Sequence, residues 1–412
     1  MSLNSTPSGE RVHIGFFGRR NAGKSSIVNA VTGQEISVVS DVRGTTTDPV
    51  IKSMELLPLG PVVIVDTPGF DDEGALGEKR VRRARRVMNR ADLAVLVLDA
   101  QTGAAEADRE LIALFEEKEI PYIIVINKSD LIDKTGVEEA EKLFPGLIKG
   151  QVLYVSALTG DGIHELKERI AALGRESIVE RPLIGDLIEP SEIVILVIPI
   201  DKAAPRGRLI LPQQMMIRGI LDADGIPICV KQDRLGDLLE KLDCEGAQTK
   251  PGLVITDSQV FGEVAKTVPA DIPLTSFSIL MARYKGFLDS ALAGVRKIDE
   301  LKDGDVILIS EGCTHHRQCG DIGTEKIPAW IRKKTGADIR FETSSGIGFP
   351  EDLSRYALIL HCGACMLGDR EVRWRMKCAA DQGIPFTNYG TAIAYMKGIL
   401  ERSTEIVRNG HD

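Results

Sequence analysis

A glycine-rich loop between an apolar run and an amphipathic run places the strongest constraint on this chain. RVHIGFFG (11–18) predicts a buried strand, and GKSSIVNAVTG (23–33) predicts a helix that ends at a glycine. The stretch GRRNAGKS (18–25) joins them and matches the phosphate-binding pattern G-x-x-x-x-G-K-[ST]. In that pattern backbone amides surround the phosphates, Lys24 reaches the outer phosphates and Ser25 binds magnesium. The sequence therefore predicts a strand–loop–helix unit that binds a nucleotide.

The runs that follow predict an α/β fold with a parallel sheet. PVVIVDTPG (61–69), ADLAVLVLDA (91–100) and PYIIVINKSD (121–130) are apolar, and helical stretches separate them. Buried strands that alternate with helices are typical of a parallel sheet covered on both faces. Each run ends in polar residues, at the edge where open α/β sheets bind ligands.

The polar residues at these strand ends predict which nucleotide is bound. Asp66 is suited to hold magnesium through water, and the Gly69 amide to sense a γ-phosphate. The carboxylate of Asp130 can accept hydrogen bonds from N1 and the exocyclic amine of guanine, a donor pair that adenine lacks. The predicted GTP-binding residues are Gly18, Asn21, Ala22, Gly23, Lys24, Ser25, Ser26, Thr46, Asp66, Gly69, Asn127, Lys128, Asp130, Ser156 and Ala157.

With these motifs the N-terminal region resembles the translation-factor-like GTPases, closest to the Era-type and tRNA-modifying group. GTTTD (44–48) resembles the switch segment of that group, which implies that Thr46 binds magnesium together with Ser25. Phe70 stands where many GTPases carry a glutamine that orients water, and an apolar ring cannot do this. Asn21 matches an asparagine that binds potassium in some members. The resemblance implies slow, potassium-stimulated GTP hydrolysis with Lys24, Thr46 and Asn21 as catalytic residues.

Length and composition exclude several classes of protein. The 412 residues carry a net charge of -9, and phosphate contacts need a basic face, so we expect no nucleic-acid partner. No apolar run approaches the roughly 20 residues of a membrane helix. The polar start MSLNSTPSGE does not resemble a signal peptide, and we expect a cytoplasmic protein. KRVRRARRVMNR (79–90) holds seven basic residues and leaves open a partner surface, a nucleic-acid face or a solvated helix.

The middle of the chain predicts a small α/β unit without a site of its own. A linker from Arg175 to Pro190, which includes RPLIGDLIEP, precedes runs that alternate strand, helix, strand, helix and strand. Cys229 and Cys244 are expected to be structural. Apolar strands without chemistry favour assembly, because exposed strands pair with a partner. We therefore predict a homodimer formed through a dimerisation domain at 185–262.

The last third returns to α/β order and brings cysteines to strand ends. KDGDVILISEG (302–312) predicts a strand that ends just before Cys313, and SRYALILHCGAC (354–365) predicts a later strand that ends in HCGAC (361–365). One final helix is predicted at TAIAYMKGILERS (391–403). The carboxyl ends of parallel strands lie at one edge of a sheet, so the three thiols of these two stretches are expected to converge.

Three converging thiols are compatible with several kinds of site. Zinc would take three cysteines and a histidine. An iron–sulfur cluster usually uses four cysteines, so three would leave one iron with a weaker or exchangeable ligand. A redox pair and buried cysteines without metal stay open, while Cys378 is expected in the core and Cys319 is a further candidate. The candidate metal ligands are Cys313, Cys362 and Cys365, with His315, His361, Glu311 or water at the fourth position.

A GTPase followed by Cys-x-His and a distant His-Cys-x-x-Cys resembles the FeFe-hydrogenase maturation GTPases, the HydF family. The resemblance implies a 4Fe-4S cluster on the three cysteines and a scaffold for the two-iron precursor of the hydrogenase. Radical maturation enzymes would supply the precursor, and apo FeFe-hydrogenase would receive it. The alternative is an Era-like GTPase that acts on RNA or ribosomes and carries a structural zinc. The expected domains are 1–175 for GTP, 185–262 for dimerisation and 265–412 for the cluster.

Overall fold

A computed structural model gives the fold of the chain, which divides into two compact units, Met1–Glu180 and Arg181–Asp412. The candidate site residues Thr46, Cys313 and His315 lie outside the described part of the chain. The structure describes residues 6–33, 50–67, 69, 85–132, 152–176, 181–200, 209–243, 250–312, 321–346 and 348–409.

The first unit contains a six-stranded sheet in the order β2-β3-β1-β4-β5-β6. All neighbouring pairs are parallel except β2 with β3, which is an antiparallel pair that the sequence analysis did not foresee. Every residue of β1 and β4 is buried, because both faces of the central strands are covered. The elements are β1 Val12–Phe17, α1 Lys24–Thr32, β2 Val50–Leu56, β3 Gly60–Asp66, β4 Leu93–Asp99, α2 Glu106–Glu117, β5 Tyr122–Asn127, β6 Val152–Tyr154 and α3 Ile163–Glu176.

The second unit begins with a four-stranded parallel sheet in the order β10-β9-β7-β8. The predicted alternation of strands and helices is confirmed, but β10 was missed. The expected domain limit at 262 falls inside α6, and β10, which pairs with β9, lies beyond it. The elements are β7 Ile193–Val197, α4 Leu211–Asp222, β8 Ile226–Val230, α5 Leu235–Leu242, β9 Leu253–Thr256, α6 Phe261–Thr267, β10 Leu274–Ser276 and α7 Phe277–Tyr284.

A second parallel sheet of this unit has the order β12-β11-β13-β14 and shares an apolar core with the first. The predicted final helix is wrong as a single element, because Gly398 adopts a left-handed conformation (φ 70°) and separates α11 from α12. The elements are α8 Leu288–Gly294, β11 Val306–Glu311, α9 Ile327–Thr335, β12 Arg340–Ser345, β13 Leu358–His361, α10 Asp369–Asp381, β14 Phe386–Asn388, α11 Tyr389–Met396 and α12 Leu400–Asn409.

Both predicted sites depend on this topology. In each parallel sheet the carboxyl ends of neighbouring strands meet at one edge, and the loops that follow carry the predicted residues. Among the residues that the structure describes, no helix combines the length and the apolar character that crossing a membrane requires.

Candidate nucleotide site and candidate metal centre

The loop between β1 and α1 has a backbone that requires its glycines. Gly18 has a φ of 137°, and a Cβ there would lie 2.2 Å from the Val97 carbonyl oxygen of β4. Gly23 has a φ of 89° and precedes α1, and a Cβ there would lie 2.1 Å from Nδ2 of Asn127. Asn21 also adopts a left-handed conformation, with φ at 60°. The loop therefore packs directly on the ends of β4 and β5.

The predicted phosphate and magnesium residues meet at this loop. The buried Lys24 donates from Nζ to the Arg19 carbonyl at 2.7 Å, so the lysine folds over its own loop. Ser25 donates from Oγ to Oδ2 of Asp66 at 2.6 Å, which places the two predicted magnesium residues in direct contact. Gly69 lies against the backbone of Arg20, since a Cβ there would be 2.9 Å from the Arg20 nitrogen. The DTPG stretch thus borders the phosphate-binding loop.

Asn127 connects the three loops that would surround a nucleotide. Its Nδ2 donates to the Ala22 carbonyl at 3.0 Å, and its Oδ1 accepts from the Ala157 amide at 3.1 Å. Asp130 is exposed and follows on the same loop, and Ser156 Oγ accepts from the Thr159 amide at 3.1 Å. The structure gives Asn127 a bridging position and leaves the Asp130 carboxylate at the surface.

Two ion pairs support these loops and were missed from the sequence. Arg19 Nε lies 2.9 Å from Oδ2 of the buried Asp108, which also caps the start of α2 by accepting from the Ala105 amide at 2.9 Å. Lys128 Nζ lies 2.6 Å from Oδ2 of Asp99 at the end of β4. No motif marks Asp99 or Asp108, and their proximity to the site follows only from the strand order.

In the second unit, the Cys362 thiol lies between two backbone amides. The Gly312 amide, at the end of β11, donates to Cys362 Sγ at 3.1 Å, and the Ala364 amide donates at 3.5 Å. Ala364 adopts a left-handed conformation with φ at 58°, which turns the loop around the sulfur. Burial raises the pKa of the Cys362 thiol, and the two amides oppose that rise. Gly312 directly precedes Cys313, so the two thiol-bearing strand ends are neighbours.

His361 is fully buried and both of its ring nitrogens are engaged. Nδ1 donates to the Cys362 carbonyl at 2.8 Å, and Nε2 accepts from a terminal nitrogen of Arg375 at 3.1 Å, a tautomer that follows from these partners. Its ring stacks on Phe386, with 5.5 Å between the ring centroids. Burial, and next the Arg375 charge, lower the pKa of His361 to about 3. To bind a metal, this imidazole would first have to release one of two hydrogen bonds.

The remaining candidates around the thiols are buried or partly buried. Glu311 is buried and accepts from the Tyr389 hydroxyl at 3.3 Å, and burial raises the pKa of Tyr389 well above its ordinary value. Cys365 is half-buried, and Cys378 packs against the core. Cys229, which was expected to be structural, lies in β8 with its side chain exposed. Within the described ranges, which omit Cys313, His315 and Cys319, no group of three or more metal-binding side chains is found.

Comparison with protein families distinguishes this chain from other GTPases. Residues 183–286 match the model of the hydrogen maturase F dimerization domain, and residues 289–406 match that of the hydrogen maturase F tetramerization domain. The chain belongs to the hydrogen maturase F family. Residues 13–128 match a third model, the 50S ribosome-binding GTPase. This member of the hydrogen maturase F family thus joins a GTPase domain to both assembly domains of that family.

Relatives of this family member match only part of its length. It is 37% identical over 174 residues to GTPase Der of Wolinella succinogenes, which covers 41% of this chain and 36% of the relative. It is 30% identical over 218 residues to the tRNA modification GTPase MnmE of Acetivibrio thermocellus, and this match covers 52% of this chain and 46% of the relative. The chain thus spans about a third to a half of the length of these relatives.

Solved structures include similar GTPases. The structure of Era from Aquifex aeolicus has a TM-score of 0.36 and 20% identity, and the match covers 55% of this chain and 97% of that one.

Proposed function

We propose that this chain is a GTP-hydrolysing scaffold that carries a 4Fe-4S cluster and delivers a two-iron precursor to apo FeFe-hydrogenase. The observation that carries the proposal is the hydrogen bond from the Gly312 amide to Cys362 Sγ. It joins the strand end before Cys313 to the His-Cys-x-x-Cys loop, within the region that matches the hydrogen maturase F tetramerization domain. The GTPase domain supports the nucleotide part of the proposal.

The donor set fits an iron–sulfur cluster. Cys362 accepts from two amides at its sulfur, and Cys365 lies in the turn that the Leu367 amide closes on the Ala364 carbonyl. Amide donors stabilise a sulfur that carries negative charge, which is the state that binds iron. The cluster would bind through Cys313, Cys362 and Cys365, with the fourth iron open to His315, His361, Glu311 or water. An open iron is a position at which a precursor can dock.

The nucleotide part of the proposal assigns roles to the loop residues. Ser25 and Thr46 would bind Mg²⁺, and Asp66 would hold it through water, consistent with the 2.6 Å contact between Ser25 and Asp66. The Lys24 ammonium would turn from the Arg19 carbonyl towards the phosphates. Potassium at Asn21 would supply the charge that an arginine provides in other GTPases, and Phe70 makes hydrolysis slow.

Assembly and partners belong to the same proposal. The middle domain would form a homodimer, and higher association would follow from the tetramerization domain. The edge strand β8 supports this, because its Ile226 is 46% exposed and Leu221 of the preceding helix is 53% exposed. Radical maturation enzymes and apo FeFe-hydrogenase would be the partners, in the cytoplasm.

A cysteine series tests the cluster assignment. Cys313→Ser, Cys362→Ser and Cys365→Ser are each expected to lose most of the iron after anaerobic reconstitution, because serine is a poor iron ligand. Cys378→Ser and Cys229→Ser are the matched controls and should keep it. Iron and zinc content, electron paramagnetic resonance and GTP turnover are measured on the same samples, and GTP turnover should survive in all five.

Two outcomes would contradict the proposal. One is full iron content in any of the first three variants. The other is tightly bound zinc without iron in the unmodified chain, which would favour the Era-like GTPase with a structural zinc.

A further inference from the structure

Arg375 of α10 reaches the carboxyl ends of three strands from the interior of the second unit. Its side chain is fully buried. One terminal nitrogen donates to Oγ of Ser310 in β11 at 3.2 Å and to Nε2 of His361 in β13 at 3.1 Å. The other donates to the carbonyl of Gly346, which directly follows β12. The planar guanidinium, whose donors point in fixed directions, therefore connects three strand ends. Those of β11 and β13 precede the thiols, and the third is that of β12.

The charge of Arg375 is balanced within its own helix. Oε1 of Glu371, one turn earlier in α10, lies 2.9 Å from Nε and 2.7 Å from a terminal nitrogen of Arg375, and Glu371 is also buried. Removing a buried charge from water is costly, and burial of both partners is tolerated only when they satisfy each other. Glu371 therefore balances the guanidinium charge within the helix, while the hydrogen bonds of Arg375 fix the positions of the strand ends.

The contact with His361 determines how that imidazole is used. A guanidinium has only N–H donors, so Nε2 of His361 must accept and the ring proton must reside on Nδ1. Nδ1 then donates to the carbonyl of Cys362 at 2.8 Å. The ring is held in place by Phe386 and Phe287, whose centroids lie 5.5 and 6.3 Å from its own. Arg375 thus acts on the Cys362 peptide through one intervening side chain.

We propose that Arg375 is a positioning residue for the Cys362 loop. It holds the ends of β11, β12 and β13 together, and it keeps His361 as a support for the Cys362 carbonyl instead of a metal ligand. The fourth iron position is then left to a group other than His361. This inference rests on the proposed function only in assuming that the loop holds a cluster.

The first experiment uses the full chain without metal, labelled with ¹⁵N-histidine. A long-range ¹H–¹⁵N spectrum should show a histidine with its proton on Nδ1, assigned to position 361 by its loss in His361→Gln. In Arg375→Met the same resonance should move to a mixture of both tautomers, because the donor to Nε2 is gone. Arg373→Met, an exposed arginine on the same helix, is the control and should leave the spectrum unchanged.

A second variant controls for a loss of folding in Arg375→Met. Arg375→Met leaves Glu371 without its partner in the interior, so Arg375→Met with Glu371→Gln removes both charges at once and is measured alongside. The double variant should show the same tautomer mixture. A proton on Nε2 in the unmodified chain, or an unchanged His361 resonance in the double variant, would overturn the proposal.

The second experiment uses the chain reconstituted with iron and sulfide. The double variant should lose iron to a chelator about tenfold faster than the unmodified chain, a typical effect of residues that orient metal ligands. His361→Gln should leave the ¹⁴N couplings in the electron paramagnetic resonance signal of the cluster unchanged, because His361 is not a cluster ligand in this proposal. Equal rates of iron loss, or an imidazole coupling that disappears only in His361→Gln, would contradict the proposal. If the unmodified chain takes up no iron, the proposed function fails, and the tautomer spectrum alone decides the role of Arg375.

Discussion

The two candidate sites of this chain are built in different ways. In the first unit, the nucleotide loops contact one another directly: Ser25 meets Asp66, and Asn127 bridges Ala22 and Ala157. In the second unit, the loop that carries Cys362 depends on Arg375, a residue outside any motif. The residues of a sequence motif can therefore position one another, as in the first unit, or depend on a buried side chain outside the motif, as in the second.

The ion pairs that support the two candidate sites differ in how far they are exposed to water. The ion pairs that support the nucleotide loops each keep one partner partly in water, with side-chain exposure of 20% for Arg19 and 32% for Lys128. The pair of Arg375 with Glu371 is buried on both sides, at 0% and 4%. The arginine or lysine of a broken pair stays in contact with water in the first case, whereas neither partner reaches water in the second.

Lys24→Ala should have the largest effect, and it tests whether GTP hydrolysis depends on the nucleotide loops alone. GTP turnover is expected to fall about 10²- to 10³-fold, because one positive charge at the developing negative charge is lost. Iron content should stay unchanged. Lys377→Ala, an exposed lysine on α10, is the control. Normal turnover in Lys24→Ala would mean that another group performs the role of the lysine.

Glu371→Gln sharpens the electrostatic comparison. It should lower the free energy of unfolding of the second unit by about 3 kcal/mol, since it leaves the Arg375 charge buried without its partner. Asp99→Asn, in the pair with Lys128, whose side chain is 32% exposed, should cost the first unit under about 1 kcal/mol. Tryptophan fluorescence in urea reports the second unit, which holds Trp330 and Trp374, and hydrogen exchange in β4 and β5 reports the first. Equal losses in both units would remove the distinction.

Asp130→Asn changes the base that the first site selects. Affinity for GTP is expected to fall about 10- to 100-fold, and xanthosine triphosphate should gain, because the carboxylate acceptor is replaced by an amide that can also donate. Competition binding with both nucleotides measures the change in preference from GTP to xanthosine triphosphate, and Asp222→Asn on α4 is the control. Loss of both nucleotides together would instead indicate a damaged loop.

The potassium effect should be the smallest. GTP turnover is expected to be faster in potassium than in sodium at equal ionic strength, and Asn21→Gly should abolish the difference. Glycine adopts the left-handed backbone of position 21 without strain, so the loop itself is kept. Equal rates in both salts for the unmodified chain would reject the assignment of Asn21.

Much of the fold and the nucleotide loops could be predicted from the sequence, because both depend on residues close together in the chain. Apolar runs predicted the central strands of all three sheets, and the glycines at 18 and 23 predicted a phosphate-binding loop, which the structure places against β4 and β5. The antiparallel β2 was missed, since its residues alternate between half-buried and exposed without a strong apolar signal. Such a strand depends on its partner β3 more than on its own composition.

The support of the second site could not be predicted, because it depends on which strands are neighbours. Arg375 is one of three arginines on α10, and Arg373, two positions earlier, is exposed. Only the order β12-β11-β13 places a buried guanidinium beneath three strand ends. The position of His361 likewise follows from Arg375 and Phe386, which no local pattern connects to it.

Phe287 lies in the short interval between the two hydrogen maturase F models, which cover 183–286 and 289–406. It is nevertheless buried, and its ring meets Phe386 edge-on at 5.9 Å and faces His361. The residue that lies between the two matched regions therefore packs against the second of them. Phe287 thus connects the junction of the two assembly domains to the imidazole next to Cys362 through a single aromatic ring.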